Sequence, residues 1–318
     1  MMSDASNVTE REGSRRLSRR DALKLAGVTL AGLAASAAGS AWYLRFVAPR
    51  ALDVTVFDLS LPNLPGMLDG LRIAHLSDLH ASEIVEPEWI RRAVDAANEY
   101  LPDLVCLTGD FVYRSAGWAT ACAQELARLK SPGGSYAVLG NHDIWNGADA
   151  VAGALQAAGI HVLRNQGLQV RIRETAAWII GVEDTGLGCL GDDGGWEDLR
   201  LAYAPARLAA DRVIAAIPAG VPSLLLVHNP DFMQMETDRP VDLALAGHTH
   251  GGQVVLPGIG PLVLPSCFGR TYARGLVQSP GGPVYVNRGV GLIEPAVRLN
   301  CPPEVAIITL RREENPAR

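Results

Sequence analysis

The chain has 318 residues, of which 48% are hydrophobic and 19% charged, and its formal net charge at pH 7 is −6. This composition is typical of a globular protein with one large domain or two small ones, and it excludes extensive disorder. Residues 1–45 contain seven basic and four acidic side chains, so the rest of the chain has 21 basic and 30 acidic ones, a net charge of −9. This acidic balance argues against a nucleic-acid-binding protein.

The N-terminal segment has the pattern of a targeting signal. Residues 18–24 read SRRDALK, and an uncharged stretch rich in alanine and glycine follows at 25–44. The pattern resembles a twin-arginine export signal, with Ala22 where phenylalanine is more common. The alternative is a basic tail before an ordinary buried helix. The stretch also has about the ~20 residues needed to cross a bilayer.

We therefore predict two regions. Residues 1–45 form a twin-arginine signal or signal anchor that the twin-arginine translocase recognises, and residues 46–318 form the functional domain. The protein is then expected to be periplasmic or otherwise extracytoplasmic, either released after cleavage or held at the membrane by its N-terminal segment. The sequence leaves cleavage and anchoring open.

Beyond Arg50, short apolar runs alternate with helical segments. Strands alternating with helices predict a layered α/β domain with a largely parallel half. The glycine-rich segment 181–198 is predicted to be a long surface loop. The predicted buried strands are 71–76, 104–107, 136–139, 177–182, 224–227, 243–246 and 284–286. The predicted helices are 87–100, 119–129 and 148–158.

Polar side chains that can bind metal ions follow five of these strands. Each cluster alone is explained equally well by a turn or a helix cap, but five such clusters in one chain are not. Because loops at the carboxyl ends of strands converge in open α/β sheets, we expect the clusters to meet. Two histidines separated by one residue can reach two neighbouring metal ions. The clusters contain Asp78, His80, Asp110, Asn141, His142, His228, His248 and His250.

This ordered set resembles the calcineurin-like metallophosphoesterase superfamily over residues 70–310. The C-terminal segments GHTHGGQ, YVNRG and RLNCPPE are similar to those of a membrane-associated bacterial phosphodiesterase branch that includes UDP-2,3-diacylglucosamine hydrolases. The resemblance implies an α/β (α+β) fold, a four-layer sandwich of two mixed β-sheets flanked by helices. One departure stands out: many relatives have a second acidic residue three positions after Asp110, whereas this chain has Tyr113 and then Arg114. We expect this change to alter the substrate pocket and not the metal site.

The resemblance also implies a role for each residue. Asp78, His80 and His250 would bind one divalent metal ion, Asn141, His228 and His248 a second, and Asp110 would bridge the two. His142 would be catalytic and face the substrate, while other substrate-binding residues stay unassigned. Imidazole and carboxylate ligands without thiolate favour manganese, iron or zinc.

The predicted function is hydrolysis of a phosphoric ester. Two cations about 3.5–4 Å apart can activate a hydroxide that attacks phosphorus, and His142 would protonate or stabilise the departing oxygen. The net charge of such a centre suits a phosphodiester or pyrophosphate bond, in a small substrate that includes phospholipid-like molecules. The alternatives are a phosphomonoesterase or protein phosphatase and a non-catalytic metal-binding protein. The complete set of ligands and His142 disfavours the last of these.

Other polar residues have less distinctive patterns. His75 is predicted to be a buried interior histidine. Three arginines could bind a second anion or form ordinary salt bridges: Arg114, Arg270 and Arg288. The five cysteines allow one or two disulfides and leave at least one thiol unpaired within a monomer.

Overall fold

A computed structural model describes residues 19–62, 64–189 and 194–313. The chain divides into two compact units, Met1–Tyr43 and Leu44–Arg318. In the first unit, helix α1 (Arg19–Trp42) contains most of the predicted signal, with exposed Leu23 and Leu30; Ser18 and the residues before it lie outside the described residues. No helix in the described ranges is both long enough and apolar enough to cross a membrane.

The second unit alternates strands and helices along its first half. These elements are β1 (Asp53–Leu61), β2 (Leu71–Leu76), α2 (Pro87–Glu99), β3 (Leu104–Thr108), α3 (Ala119–Leu126), β4 (Ser135–Val138), α4 (Asn141–Ala157) and β5 (His161–Val162). The second half has more strands than helices. Its elements are β6 (Gln166–Ile172), β7 (Thr175–Gly181), α5 (Trp196–Ala216), β8 (Ser223–Leu226), β9 (Leu243–Ala246), β10 (Val255–Leu256), β11 (Gly260–Pro261), β12 (Gly275–Ser279), β13 (Gly282–Val286) and β14 (Glu304–Arg312).

Two six-stranded mixed sheets form the centre of this unit. The first has the order β1-β14-β2-β3-β4-β5, in which only β14 and β2 are antiparallel neighbours. The second has the order β12-β13-β9-β8-β7-β6, with parallel strands from β13 to β7 and an antiparallel strand at each edge. Strands β10 and β11 pair separately as a short hairpin.

Three apolar cores hold the layers together. One lies between the two sheets and includes Ile73, Ile179 and Ile308. A second joins α2, α3 and α4 to the first sheet, and a third joins α5 to the second sheet through residues such as Tyr203 and Ala244. The fold is therefore the predicted four-layer sandwich of two mixed sheets flanked by helices.

All seven predicted strands exist, with bounds that shift by at most two residues. The prediction for 181–198 was wrong at its end, because α5 begins at Trp196. The backbone of Gly195 caps this helix, and Glu197 and Asp198 place negative charge in its first turn, where the helix dipole favours it. Helix α4 also begins earlier than predicted, at Asn141, so that its first turn belongs to the functional site.

One disulfide is present among the described cysteines. It joins Cys189, in the loop after β7, to Cys267, in the segment between β11 and β12. The other three cysteines, Cys106, Cys122 and Cys301, are buried free thiols. Sequence reasoning allowed one or two disulfides without choosing their partners.

Candidate metal centre

The predicted site residues come together at the carboxyl ends of five strands. Asp78 and His80 follow β2, Asp110 follows β3, and Asn141 opens α4 directly after β4. From the second sheet, β8 leads to His228, and β9 leads to the pair His248 and His250. Because β2, β3 and β4 are parallel neighbours, as are β8 and β9, their ends lie at corresponding edges of the two sheets.

Asp78, His80 and His250 form one compact cluster. His80 Nε2 lies 2.9 Å from His250 Nε2, and His250 Nε2 lies 3.3 Å from Asp78 Oδ1. All three side chains are almost completely buried. One candidate ligand atom from each of them falls within 4.8 Å of the others.

Asn141, His228 and His248 form a second cluster beside the first. Asn141 Oδ1 lies 3.1 Å from His228 Nε2 and 3.0 Å from His248 Nδ1, and the two imidazole nitrogens are 3.3 Å apart. The other ring nitrogen of His228, Nδ1, lies 2.6 Å from the carbonyl oxygen of Thr108. This contact orients the ring so that Nε2 faces the cluster.

Asp110 lies between the two clusters. Its Oδ2 is 3.6 Å from His80 Nε2 in the first cluster and 3.2 Å from His228 Nε2 in the second. Its Oδ1 accepts the backbone N–H of His142 at 2.8 Å. One carboxylate therefore faces both groups, which is the position that the sequence assigned to a bridging ligand.

The backbone at this site is strained. Asp78, His80, Asp110, His248 and His250 all have φ between 50° and 71°, a region that non-glycine residues seldom occupy. Such conformations cost about 1–3 kcal/mol each and persist where the surroundings hold them in place. Their concentration at these five positions indicates that the backbone is bent to turn these side chains toward one centre.

Burial controls the protonation of three of the four clustered histidines. It lowers the pKa of His80 and of His248 to about 3, and that of His250 well below its ordinary range. Their imidazoles are therefore neutral, the form that binds metal ions. Burial also opposes the charge of His228, but the carboxylates of Asp110, Asp78 and Asp184 together outweigh it and raise the pKa of His228 well above the usual range.

The two carboxylates differ from each other. Burial raises the pKa of Asp78 to about 6. Burial acts in the same direction on Asp110, but the nearby His228 and His142 outweigh it and hold its pKa well below the usual range. Asp110 is therefore anionic at neutral pH.

The donor set fits divalent metal ions. His80 Nδ1, His250 Nδ1 and His248 Nε2 are buried without a hydrogen-bond partner, while His80 Nε2, His250 Nε2 and His248 Nδ1 each lie about 3 Å from a polar atom of their own cluster. Uncharged imidazole lone pairs that converge on one another and on carboxylates are costly to bury without a cation between them. Nitrogen and oxygen donors in this combination suit first-row transition metals.

His142 stands at the rim of the clusters. Its ring centroid lies 4.9 Å from that of His80 and 4.8 Å from that of Trp145. It also lines a cleft of about 120 Å³, whose floor includes Asp110 and Asn141. Burial lowers the pKa of His142. The side chain is half-buried and faces the space that a substrate would occupy.

Asp143 lies beside His142 and connects two parts of the site. In the structure its Oδ1 accepts the backbone N–H groups of Phe111 and Val112, at 2.9 and 3.1 Å, and its Oδ2 accepts that of Gly140 at 3.0 Å. Asp143 therefore caps α4 and ties the loop that carries Asp110 to the start of that helix.

The segment after β13 also supports the site, although the sequence analysis gave it no role. The N–H of Val290 donates to the carbonyl of Ser77, and that of Gly291 to the carbonyl of Asp78. The guanidinium of Arg298, fully buried, donates to the carbonyls of Gly289 and Gly291, which fixes this segment behind Asp78. The signal was the YVNRG motif, whose last three residues come directly after β13, much as the candidate ligands come after their strands.

The remaining candidates have structural partners. His75 is buried and its Nε2 lies 2.8 Å from Thr108 Oγ1, as expected for an interior histidine. Arg288 pairs with Asp53 and Glu304. Arg270 donates to the carbonyl of Ile259, and Arg114 pairs with the exposed Glu294.

The fold and this donor set define a metal-dependent hydrolase of the four-layer α/β class. A family model described as calcineurin-like phosphoesterase matches residues 71–252, more than half of the chain, so the chain belongs to this family. It is similar to the uncharacterized metallophosphoesterase YkuE of Bacillus subtilis, with 32% identity over 301 residues that cover 93% of this chain and 99% of YkuE. It is also similar to the phosphodiesterase YaeI of Escherichia coli, with 32% identity over 243 residues that cover 75% and 82%.

Among solved structures, the 5'-nucleotidase precursor from Thermus thermophilus aligns with a TM-score of 0.44 and 16% identity, covering 75% of this chain and 54% of that chain. This likeness is too distant to support a substrate. The family membership and the buried donor set establish the protein as a metal-dependent phosphoester hydrolase.

Proposed function

We propose that the protein is a dinuclear phosphodiesterase that cleaves a phosphodiester or pyrophosphate bond. The observation that carries this proposal is the position of Asp110, whose Oδ2 faces His80 of one cluster and His228 of the other. Asp78, His80 and His250 would hold one metal ion, and Asn141, His228 and His248 the other. Manganese, iron and zinc suit these ligands, and manganese is the ion we propose to test first.

When bound, two divalent cations would supply an activated water and neutralise charge on the phosphoryl oxygens. The protein residues position the metal sites and donate to the departing oxygen. Asp110 holds the two clusters together, and its hydrogen bond from the backbone of His142 places that residue beside them. The imidazole of His142 then donates to the departing oxygen and stabilises it as the bond to phosphorus breaks. Trp145 packs against this ring and limits its movement.

An apolar groove beside the cleft supports a lipid-linked substrate. It has a volume of about 240 Å³, and its walls include Val254, Leu262 and Val263. Groove and cleft share His250, Pro265 and Ile293, so the two lie next to each other. Leu262 and Val263 are more than half exposed, and covering them with an acyl or alkyl chain would remove apolar surface from water.

We further propose that residues 1–45 act as a twin-arginine signal or signal anchor and place the enzyme outside the cytoplasm, at the membrane. The support is the SRRDALK sequence, in which Arg19 and Arg20 begin α1. Membership of the lipid-hydrolysing phosphodiesterase branch remains part of this proposal and is supported by the C-terminal sequence motifs. A membrane location would bring a lipid-linked phosphodiester to the groove.

A phosphomonoesterase is the alternative, and a direct comparison of substrates separates the two. The manganese-loaded enzyme is expected to have a higher kcat/KM for bis-p-nitrophenyl phosphate than for p-nitrophenyl phosphate. The reason is that two divalent cations, two carboxylates and one hydroxide leave a net charge of about +1, which matches a monoanion. Faster turnover of the monoester would overturn the phosphodiesterase proposal.

A further inference from the structure

The loop after β3 carries this chain's departure from the family pattern. Val112 forms a β-bridge with Ala81, and the N–H of Tyr113 donates to the carbonyl of Ala81 at 3.1 Å, so the loop is fixed up to that point. Arg114 follows with φ of 62°, the left-handed region that favours glycine. An arginine at such a position indicates that the surroundings hold it there.

Tyr113 connects Arg114 to the metal centre. The Tyr113 ring centroid lies 5.2 Å from that of His142 and 5.6 Å from that of His80. The guanidinium carbon of Arg114 lies 5.0 Å from the same ring. A charged side chain that is 64% exposed is therefore held against the ring that contacts the proposed catalytic histidine.

The partner of Arg114 is an exposed carboxylate that a ligand can replace. Arg114 Nη2 donates to Glu294 Oε2 at 2.8 Å, and Nη1 donates to Oε1 at 3.4 Å. The Glu294 side chain is 51% exposed and lines the apolar groove, next to Ile293 of the cleft. Exposed ion pairs of this kind contribute only about 0–1 kcal/mol, so exchanging the carboxylate for another anion costs little. The planar guanidinium fork binds phosphate and carboxylate with the same geometry.

We propose that Arg114 forms an anion subsite beside the metal centre, where it binds a second phosphate or carboxylate of the substrate in place of Glu294. This inference rests on the proposed function and adds that preferred substrates carry a further anionic group besides the phosphodiester that is cleaved. In the absence of that anionic group, Glu294 pairs with the guanidinium of Arg114.

A matched set of substrates tests the subsite. Thymidine 5′-(p-nitrophenyl phosphate) is the parent, its 3′-phosphate adds a phosphate, and its 3′-O-carboxymethyl ether adds a carboxylate. Arg114→Gln is expected to lower kcat/KM for the anionic substrates by about 10- to 100-fold relative to the parent, the loss typical of a charged hydrogen bond. The substrate with the larger loss identifies the anion as phosphate or carboxylate.

Two further variants test the competing carboxylate and provide a control. Glu294→Gln removes the competing carboxylate and is expected to raise kcat/KM for the anionic substrates relative to the parent. Arg171→Gln is the control, because Arg171 also forms an exposed pair with a glutamate, at 3.0 Å, on the β6–β7 hairpin. It should leave every ratio at the wild-type value.

Binding gives a readout that needs no turnover. In calorimetry with the manganese-loaded protein, the Kd of thymidine 3′,5′-bisphosphate is expected to rise about tenfold in Arg114→Gln and to stay constant in Arg171→Gln. Unchanged substrate ratios together with unchanged binding in Arg114→Gln would overturn the subsite. If the wild-type enzyme cleaves none of the three substrates but binds the bisphosphate through Arg114, the proposed function fails and the subsite stands.

Discussion

The backbone N–H of His248 donates to both carboxylate oxygens of Asp78, at 3.1 Å each, across 170 positions of sequence. A side chain from the first sheet thus fixes the loop that follows β9 in the second sheet. Asp78 Oδ1 also lies 3.3 Å from His250 Nε2, so the same carboxylate contacts both histidines of the GHTHGGQ motif in different ways. The left-handed backbone at His248 and His250 lets one ring enter each cluster. The carboxylate of Asp78 therefore connects the two clusters through protein contacts.

Asp110→Asn tests the bridge between the two clusters. The change keeps the shape of the side chain but removes one of the two anions that would hold the cations, so we expect the protein to lose at least one metal ion and most of its activity. Metal analysis by mass spectrometry and turnover of bis-p-nitrophenyl phosphate measure the two effects. Asp58→Asn is the control, because Asp58 forms an exposed pair with Arg311. Two bound ions with near-wild-type turnover in Asp110→Asn would exclude the bridging role.

His142→Ala separates chemistry from metal binding. Because His142 faces the cleft and donates to Asp110 only through its backbone, the variant should keep its metal content. We expect kcat to fall by about 10²- to 10⁴-fold, the usual range for removing a positioned proton donor. The loss should be smaller for substrates with good leaving groups, since these need less protonation.

The exposed His161 provides the control for this variant. His161→Ala should leave kcat at the wild-type value. An equal loss for all leaving groups in His142→Ala, or a large loss of metal, would give His142 a different role.

Gly140→Ala tests how closely the backbone packs around Asp110. A Cβ atom at position 140 would lie 2.6 Å from the backbone nitrogen of Asp110 and would collide with its carboxylate. We expect destabilisation by about 1–3 kcal/mol, as for other overpacked sites, together with weaker metal binding. Gly153→Ala on the same helix has open space around it and should stabilise the fold by about 0.5–1 kcal/mol. Thermal unfolding and metal titration of the pair check both effects, and equal Tm values would contradict the packing argument.

The inner strands could be predicted because each is a short apolar run that ends in a polar turn. The outer elements could not. Strand β1 pairs in parallel with β14, and Asp53 lies opposite Glu304, a contact that no local pattern encodes. Helix α5 was missed because the glycine-rich segment before it hides its start, and its apolar face becomes visible only where Tyr203 and Ile214 pack on the second sheet.

The clustering of the candidate ligands was the most predictable feature of the site, because each candidate comes shortly after a buried strand. The residues that hold them were not. Arg298 is buried among backbone carbonyls, and a lone arginine in a sequence gives no sign of such surroundings. The pairing of Cys189 with Cys267 was open as well, because five cysteines allow many combinations.

His75→Gln tests the effect of a buried histidine on acid stability. Burial lowers the pKa of His75 to about 3, compared with 6.5 for the free side chain. Between these values the unfolded chain binds a proton that the folded chain does not, so stability is present above pH 6.5 and is lost as the pH falls toward 3. The slope from one such group is at most about 1.4 kcal/mol per pH unit.

Glutamine can keep a hydrogen bond to Thr108 without titrating. We therefore expect His75→Gln to show a weaker loss of stability between pH 6.5 and 4 than the wild type, measured by urea unfolding. The same slope in both proteins would show that His75 does not set the acid sensitivity.

The last prediction concerns export. Arg19→Lys combined with Arg20→Lys keeps the charge of the segment but replaces two planar guanidinium groups by ammonium groups, which cannot make the same forked hydrogen bonds. If a twin-arginine translocase recognises Arg19 and Arg20, we expect the variant to stay in the cytoplasm. Arg15→Lys with Arg16→Lys is the matched control, because it changes a second arginine pair outside SRRDALK and should be exported as the wild type is.

Cell fractionation followed by mass measurement of the exported wild type then separates an anchored protein, pelleted at full length, from a soluble one cut near Ala41. A pelleted, full-length protein would favour an anchored enzyme that acts on lipid substrates. Normal export of the Arg19 and Arg20 variant would remove the twin-arginine proposal and leave the metal centre untouched, because the two share no residues.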